Sequence, residues 1–170
     1  MTTLAKDKKN MHTISFLVAN KPGVLVRVAQ VFARRGFNID SLVVSSTMDS
    51  RYSRMTITAS GALETLEQII KHSNKLIDVI HAGEHTREDA VTKEMALLKI
   101  RFKKSDKTSL QKLMKRFHCH SIDETDESLI IEQTGSTEEL DEFEVLMKKF
   151  HIVEMVRTGK VVMARGTEPT

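Results

Sequence analysis

The feature of this 170-residue sequence that most restricts its fold is one order of hydrophobic patterns that occurs twice. In the first half, a strand with alternating apolar residues around Phe16 precedes a helical stripe, two strands, a second helix and a fourth strand. The same order returns from Ala96 onward, and a capping box from Ser136 to Glu139 opens the last helix. This order is that of the ferredoxin-like fold. We therefore predict an α+β protein with two ferredoxin-like βαββαβ domains in tandem.

The patterns also predict the bounds of individual elements. In the first half we expect a hairpin of strands 38–46 and 52–59 and a closing strand over 76–82. In the second half we expect a hairpin of strands 117–125 and 128–134 and one closing strand over 152–164. Gly36 lies where a left-handed cap commonly ends a helix, here the first one.

A charged segment without a hydrophobic period, residues 84–91, predicts the joint between the two halves. The predicted organisation is a disordered tail at 1–10, a first domain at 11–83, this linker, a second domain at 92–166 and a tail at 167–170. Domains of roughly 75 to 85 residues lie near the lower limit for a self-sufficient core. Pairing of edge strands with another chain would therefore help both domains.

The composition excludes several classes of function. The balance of 26 Lys and Arg against 23 Asp and Glu leaves no basic tract for nucleic acid, and one Tyr without Trp leaves few aromatic platforms for single strands. No apolar run approaches the roughly 20 residues of a membrane span. The single cysteine, Cys119, excludes an intrachain disulfide and suits a reducing compartment. The first ten residues lack the apolar core of a signal peptide, so we expect a cytoplasmic protein.

The sequence contains no recognisable catalytic constellation. There is no Gly-x-Gly-x-x-Gly motif, and no Ser or Cys nucleophile has a familiar setting. His118 and His120 would share one face of a predicted strand, which is a possible metal pair, but no further ligands with suitable spacing follow them. We expect no catalytic site and no bound metal. Metal analysis of the purified protein would test the alternative of a small metalloenzyme.

The loop between the first strand and the first helix carries the sharpest functional signal. Pro22 has a fixed φ and no N–H, so it fits the first helical position, and Gly23 lets another molecule approach the backbone. The free amides of Val24 and Leu25 at such a helix start favour a carboxylate. Asn20 adds a side-chain amide. Asn38 adds another side-chain amide. These residues predict a site for a small zwitterion, and the alternative is an ordinary strand-to-helix turn with Asn20 and Asn38 as local caps.

Three stretches together resemble one known family, the small regulatory subunits of acetolactate synthase (acetohydroxyacid synthase). They are Asn20-Lys21-Pro22-Gly23-Val24-Leu25, Arg34-Arg35-Gly36-Phe37-Asn38-Ile39-Asp40-Ser41-Leu42 and Arg157-Thr158-Gly159-Lys160. An Asn-x-Pro-Gly loop alone would indicate only an ACT domain, whereas the combination is typical of this family. The resemblance covers residues 11–166 and departs from the family pattern at 117–122 and at His151.

The resemblance implies a subunit without catalytic chemistry of its own. It would activate a thiamine-diphosphate-dependent catalytic subunit, an acetolactate-forming transferase of valine, leucine and isoleucine biosynthesis. It would also confer feedback inhibition by a branched-chain amino acid, for which valine is our expectation. Thiamine diphosphate, Mg and FAD are expected on the catalytic partner, and no cofactor is expected on this chain.

The resemblance also implies where the effector binds, because in this family two ACT domains of a homodimer form a continuous sheet with the effector at their interface. Carried onto this chain, the site consists of Asn20, Pro22, Gly23, Val24, Leu25, Asn38 and Ile39. Asn38 and Ile39 would come from the second protomer. A free-standing tandem ACT sensor of another enzyme or of transcription is the remaining alternative, and the Arg157-Thr158-Gly159 end argues against it.

Overall fold

The computed structural model describes residues 11–167 and 169–170. Backbone contacts divide the described residues into two units. The first contains the residues up to Thr92 together with those from Gly159 onward, and the second is Lys93–Thr158. Each unit has one sheet with two helices, which confirms the prediction of two ferredoxin-like domains in tandem. The predicted tail at 1–10 lies outside the described residues.

The first unit follows the predicted order of elements. Its helices and strands are β1 Met11–Ala19, α1 Val24–Ala33, β2 Asn38–Ser46, β3 Tyr52–Ser60, α2 Leu63–Ser73 and β4 Val79–His85. The antiparallel sheet has the strand order β2-β3-β1-β4, so β2 and β4 form its edges. Ile14 and Phe16 alternate onto the face that both helices cover, where they pack with Phe32, Leu66 and other buried side chains.

The second unit repeats this arrangement. Its elements are β5 Ala90–Arg101, α3 Lys107–Arg116, β6 His120–Glu124, β7 Ser128–Gly135, α4 Thr137–Met147 and β8 His151–Arg157. A last strand, β9 Val161–Ala164, belongs to the residues that group with the first unit. The sheet order is β6-β7-β5-β8, and β9 pairs with β5. Leu98 and Ile131 are fully buried against Leu110 of α3 and Phe143 of α4.

The predicted capping box opens α4. The backbone N–H of Glu139 donates to Ser136 Oγ at 3.2 Å, and Glu139 Oε2 accepts from the backbone N–H of Ser136 at 2.7 Å. Gly36 has φ +67°, as a left-handed residue after α1 should. The start of α4 and the end of α1 could be predicted from sequence because each depends only on residues within one helical turn.

Two predicted elements start later than expected. Helix α1 begins at Val24 rather than at Pro22, because Gly23 has φ +83° and a left-handed residue cannot belong to a right-handed helix. Strand β6 begins at His120, since residues 117–119 end the preceding helix and His118 has φ +52°. The prediction that His118 and His120 share a strand face is therefore wrong.

The closing strand of each half and the joint between the halves also differ from their predicted bounds. The segment predicted as strand 152–164 is two strands, β8 and β9, separated by residues 158–160. The fourth strand is Val79–His85 rather than 76–82. The charged segment 84–91 contains the end of β4, a turn and the start of β5, and residues from Gly159 onward group with the first unit. Exposed strand ends carry polar residues, so their sequence resembles a loop.

Candidate functional site

The loop between β1 and α1 presents unpaired backbone donors. Gly23 is the N-cap of α1, and its left-handed backbone turns the chain into the helix. The N–H of Val24 makes a long 3.4 Å bond to Lys21 O, while those of Leu25 and Val26 meet no acceptor among the described residues. Together with the positive end of the helix dipole, these groups favour a carboxylate.

Asn20 fixes this loop to the turn between β2 and β3. Its Nδ2 donates to Ser50 O at 2.9 Å, and its backbone N–H donates to Arg51 O at 2.7 Å. Since the side-chain N–H is used in this way, the amide oxygen is the part of Asn20 suited to accept from an ammonium group. The loop thus combines a carboxylate site with an ammonium acceptor, as an amino acid requires.

An ion pair beside Gly23 was missed by the sequence reasoning. Arg27 Nη2 lies 2.6 Å from Asp78 Oδ2, and a Cβ added to Gly23 would lie 3.2 Å from Arg27 Nη1. The backbone of Asp78 also accepts from Ala19 N at 2.8 Å. Helical spacing from Gly23 could have indicated Arg27. Asp78 lies 51 positions beyond Arg27 in the sequence, so only the fold brings the two side chains together.

The structure does not bring all the predicted site residues together within one chain. Asn38 pairs with Ser60 at the end of the sheet where β1 starts, whereas the Asn20 loop follows Ala19 at the other end. The two ends of the sheet are eight strand residues apart, which corresponds to roughly 27 Å. Asn20, Pro22, Gly23, Val24 and Leu25 therefore form one group, and Asn38 and Ile39 stand apart from it.

Strand β2, which begins with Asn38, has an unpaired edge within the described chain. Leu42 and Val44 lie on the helix-covered face of the sheet, opposite Ile57 and Met55 of β3, yet they are 37% and 43% exposed. Apolar side chains along an open strand edge are suited to pairing with another strand.

In the second unit, Arg157 of the terminal motif joins three elements. Its Nε and Nη2 donate to Glu94 Oε2 of β5 at 3.1 and 2.7 Å, and its Nη1 donates to Asp141 Oδ1 of α4 at 2.7 Å. Burial acts to lower the pKa of the guanidinium, but the hydrogen bonds and charges of Asp141 and Glu94 outweigh it and raise the pKa. Glu94 is only 7% exposed, so Arg157 neutralises a buried carboxylate.

His118, Cys119 and His120 line a surface cavity of about 540 Å³ with Gln111, Met114 and Lys115. Burial raises the pKa of the Cys119 thiol to about 12, so the thiolate is scarce near neutral pH. No group of three or more His, Cys, Asp or Glu side chains in the described ranges is placed to hold a metal. None of the helices described is long and apolar enough to cross a membrane.

Comparisons with known proteins agree in both halves of the chain. The family described as "AHAS small subunit-like ACT domain" matches residues 14–81, and "Small subunit of acetolactate synthase" matches residues 93–166. A probable acetolactate synthase small subunit of Archaeoglobus fulgidus is 43% identical over 92% of this chain and 98% of its own length. The acetolactate synthase small subunit of Mycolicibacterium smegmatis is 41% identical over 91% of both chains.

The similarity to a solved small subunit extends over nearly the whole chain. The crystal structure of the acetolactate synthase small subunit from Thermotoga maritima superposes with a TM-score of 0.84 at 39% identity. The superposition covers 93% of this chain and 99% of the Thermotoga maritima chain. The similarity therefore extends over both units rather than over an isolated domain.

Proposed function

We propose, from the premise that this chain belongs to the acetolactate synthase small-subunit family, that it binds a branched-chain amino acid and thereby sets the activity of the catalytic subunit. Membership of the family makes it the regulatory subunit of that enzyme, with the catalytic subunit as its partner. The amino acid we propose is valine, acting as a feedback inhibitor, and the unliganded chain activates its partner.

The placement of Asn38 supports a site shared by two copies of the chain. If two β2 strands pair antiparallel about a two-fold axis through their middle, near Leu42, Asn38 of one copy meets the Ser46 end of the other. That end carries the turn to which Asn20 is bonded. A homodimer therefore brings together the two groups of residues that one chain holds roughly 27 Å apart.

The chemistry of the joined site matches an apolar amino acid. The N–H groups of Leu25 and Val26 receive the carboxylate, and the amide oxygens of Asn20 and of the second copy's Asn38 accept from the ammonium group. Leu25 and Ile39 supply apolar surface for the side chain. Because methyl and methylene differences are worth only about 1–3 kcal/mol in an apolar pocket, leucine and isoleucine compete with valine more weakly rather than not at all.

The effector acts by shifting a conformational equilibrium. An amino acid that binds one dimer arrangement better than another stabilises that arrangement, and a coupling of about 1–3 kcal/mol changes the affinity at the coupled site about 5- to 150-fold. The carbon chemistry, with thiamine diphosphate, Mg and FAD, belongs to the catalytic subunit. We place this regulation in the cytoplasm of the cell, where a reducing environment suits a free Cys119.

The observation that carries this proposal is the left-handed Gly23 with free amides behind it, in a chain of this family. Its test is to mix the chain with an acetolactate synthase catalytic subunit and to measure acetolactate formation with and without each branched-chain amino acid. We expect stimulation without effector and loss of that stimulation with valine. A catalytic subunit that responds neither to the chain nor to valine would contradict the proposal.

Replacing Leu42 with Arg is expected to dissociate the homodimer. The substitution places two guanidinium groups opposite each other near the two-fold axis, where apolar side chains now lie. We expect the dimer dissociation constant to rise at least 100-fold, as measured by sedimentation velocity, and valine binding to weaken with it.

Ile80→Arg is the matched control for this change. Ile80 is also a strand residue of the same sheet and is 52% exposed, but it lies on the opposite edge strand, β4. It should leave both the dimer and valine binding as they are. If instead Ile80→Arg dissociates the dimer and Leu42→Arg does not, the interface has been assigned to the wrong edge.

A further inference from the structure

Gly159, in the C-terminal segment of the first unit, lies close against strand β2. An ideal Cβ at this position would lie 2.6 Å from Ser41 Oγ, 2.9 Å from Ser41 Cβ and 3.0 Å from Val43 Cγ2. Carbon contacts this short do not occur in folded proteins, so any other residue at 159 requires the backbone to move. Glycine is needed here for space, since no positive φ is involved.

Hydrogen bonds hold both sides of this contact. The hydroxyl of Ser41 shares a 2.6 Å hydrogen bond with Thr58 Oγ1 of β3, and Thr58 is 3% exposed. On the other side, the segment that follows Gly159 is held by pairing of β9 with β5, and Arg165 N donates to Asp89 O at 2.7 Å. Within the described chain β2 is paired only with β3, so β2 is the side that shifts when an atom is added at Gly159.

A shift of Ser41 would reach Asn38 directly. The register between β2 and β3 is interrupted between Ile39 and Ser41, so Asp40 forms a bulge next to the contact. The carboxylate of Asp40 accepts from Asn38 Nδ2 at 3.1 Å and from Ser60 Oγ at 2.6 Å. Asp40, which holds the side chain of Asn38, is therefore the direct neighbour of Ser41, the residue against which Gly159 lies.

We propose that Gly159 is a positioning residue for the effector site, which it serves by letting the C-terminal segment lie against Ser41 and so fixing β2 and Asn38. The inference rests on the proposed function, since it concerns the same amino-acid site. It adds that effector affinity depends on a residue more than a hundred positions beyond the proposed effector loop, outside the residues proposed to contact the effector.

The test compares valine affinity of full-length Gly159→Ala with that of the double variant Ser41→Gly/Gly159→Ala by titration calorimetry. We expect Gly159→Ala to weaken valine binding about tenfold, because the added methyl group displaces β2. The double variant removes both atoms of Ser41 that the methyl group would meet, so it should recover affinity to within about threefold of Ser41→Gly alone. Rescue by a smaller residue on β2 is a result that general destabilisation would not produce.

Gly83→Ala is the control for adding a methyl group elsewhere in the same sheet. Gly83 lies on β4, where the nearest atom to a new Cβ is a side-chain atom, His81 Nε2 at 3.2 Å, so binding should not change. Unaltered valine affinity in Gly159→Ala, or weakened affinity that Ser41→Gly does not rescue, would overturn the inference. If the unmodified chain itself binds no branched-chain amino acid, the proposed function fails instead.

Discussion

Replacing Gly23 with Asp is expected to lower valine affinity about 30- to 1000-fold while the chain stays folded. The new carboxylate would lie where the effector carboxylate meets the start of α1, and repulsion between two such charges is worth about 2–4 kcal/mol near a protein surface. Asp is also among the residues that best tolerate a left-handed backbone and that best cap a helix, so α1 should survive. Titration calorimetry and thermal unfolding measure the two effects separately.

Gly23→Asn separates charge from shape in this experiment. Asn has nearly the same size as Asp, tolerates the same φ and caps helices equally well, but it does not repel a carboxylate. We expect its loss of affinity to be clearly smaller than that of Gly23→Asp. Unchanged valine affinity in Gly23→Asp would place the effector elsewhere on the molecule.

Replacing Arg157 with Met is expected to lower the free energy of unfolding by about 3 kcal/mol. Met keeps the length of the side chain but leaves the buried carboxylate of Glu94 without its cation, and removing one partner of a buried pair costs about 3–5 kcal/mol. Arg157 is partly accessible to water, so the lower end of that range applies. Chemical denaturation of the full-length chain measures the change.

Lys93→Met is the control that removes the same charge from an exposed pair. Lys93 Nζ lies 3.9 Å from Glu139 Oε2, and both side chains are largely in solvent. Such pairs contribute about 0.2–1 kcal/mol, so the variant should unfold nearly as the unmodified chain does. A loss of stability as small for Arg157→Met as for Lys93→Met would show that Arg157 is not a structural cation.

Local patterns decided much of the fold. Strands β2 and β3, the capping box of Ser136 and Glu139 and the left-handed Gly36 all depend on residues that are neighbours in sequence. The patterns failed where a boundary depends on distant contacts. Leu76 N donates to Ser73 O and Val79 N to Leu76 O, both at 3.0 Å, and Asp78 O accepts from the distant Ala19 N at 2.8 Å, so β4 begins only at Val79 although the apolar pattern predicted a strand at 76–82.

The sequence predicted one part of the candidate site but not the other. The loop at Asn20 and Gly23 could be predicted as a helix start, because a glycine before an amphipathic helix marks a turn there, although the helix begins after Gly23 rather than at Pro22. The Arg27–Asp78 ion pair could not, because its members come from a helix and a loop that only strand order brings together. The 540 Å³ cavity lined by His118 was not predicted either, because the pattern at 117–119 indicated a strand whereas His118 has a left-handed backbone.

The sequence by itself therefore determined the element order, the two ferredoxin-like domains and the loop suited to an amino-acid carboxylate, since periodicity and turn chemistry are local. Only the tertiary structure decided that Asn20 is bonded to the turn at Ser50, and that Arg157 neutralises Glu94. It also decided that Gly159 rests on β2. These contacts depend on strand register and on the path by which the C-terminal segment comes back to the first sheet, and both place residues together regardless of their separation in sequence.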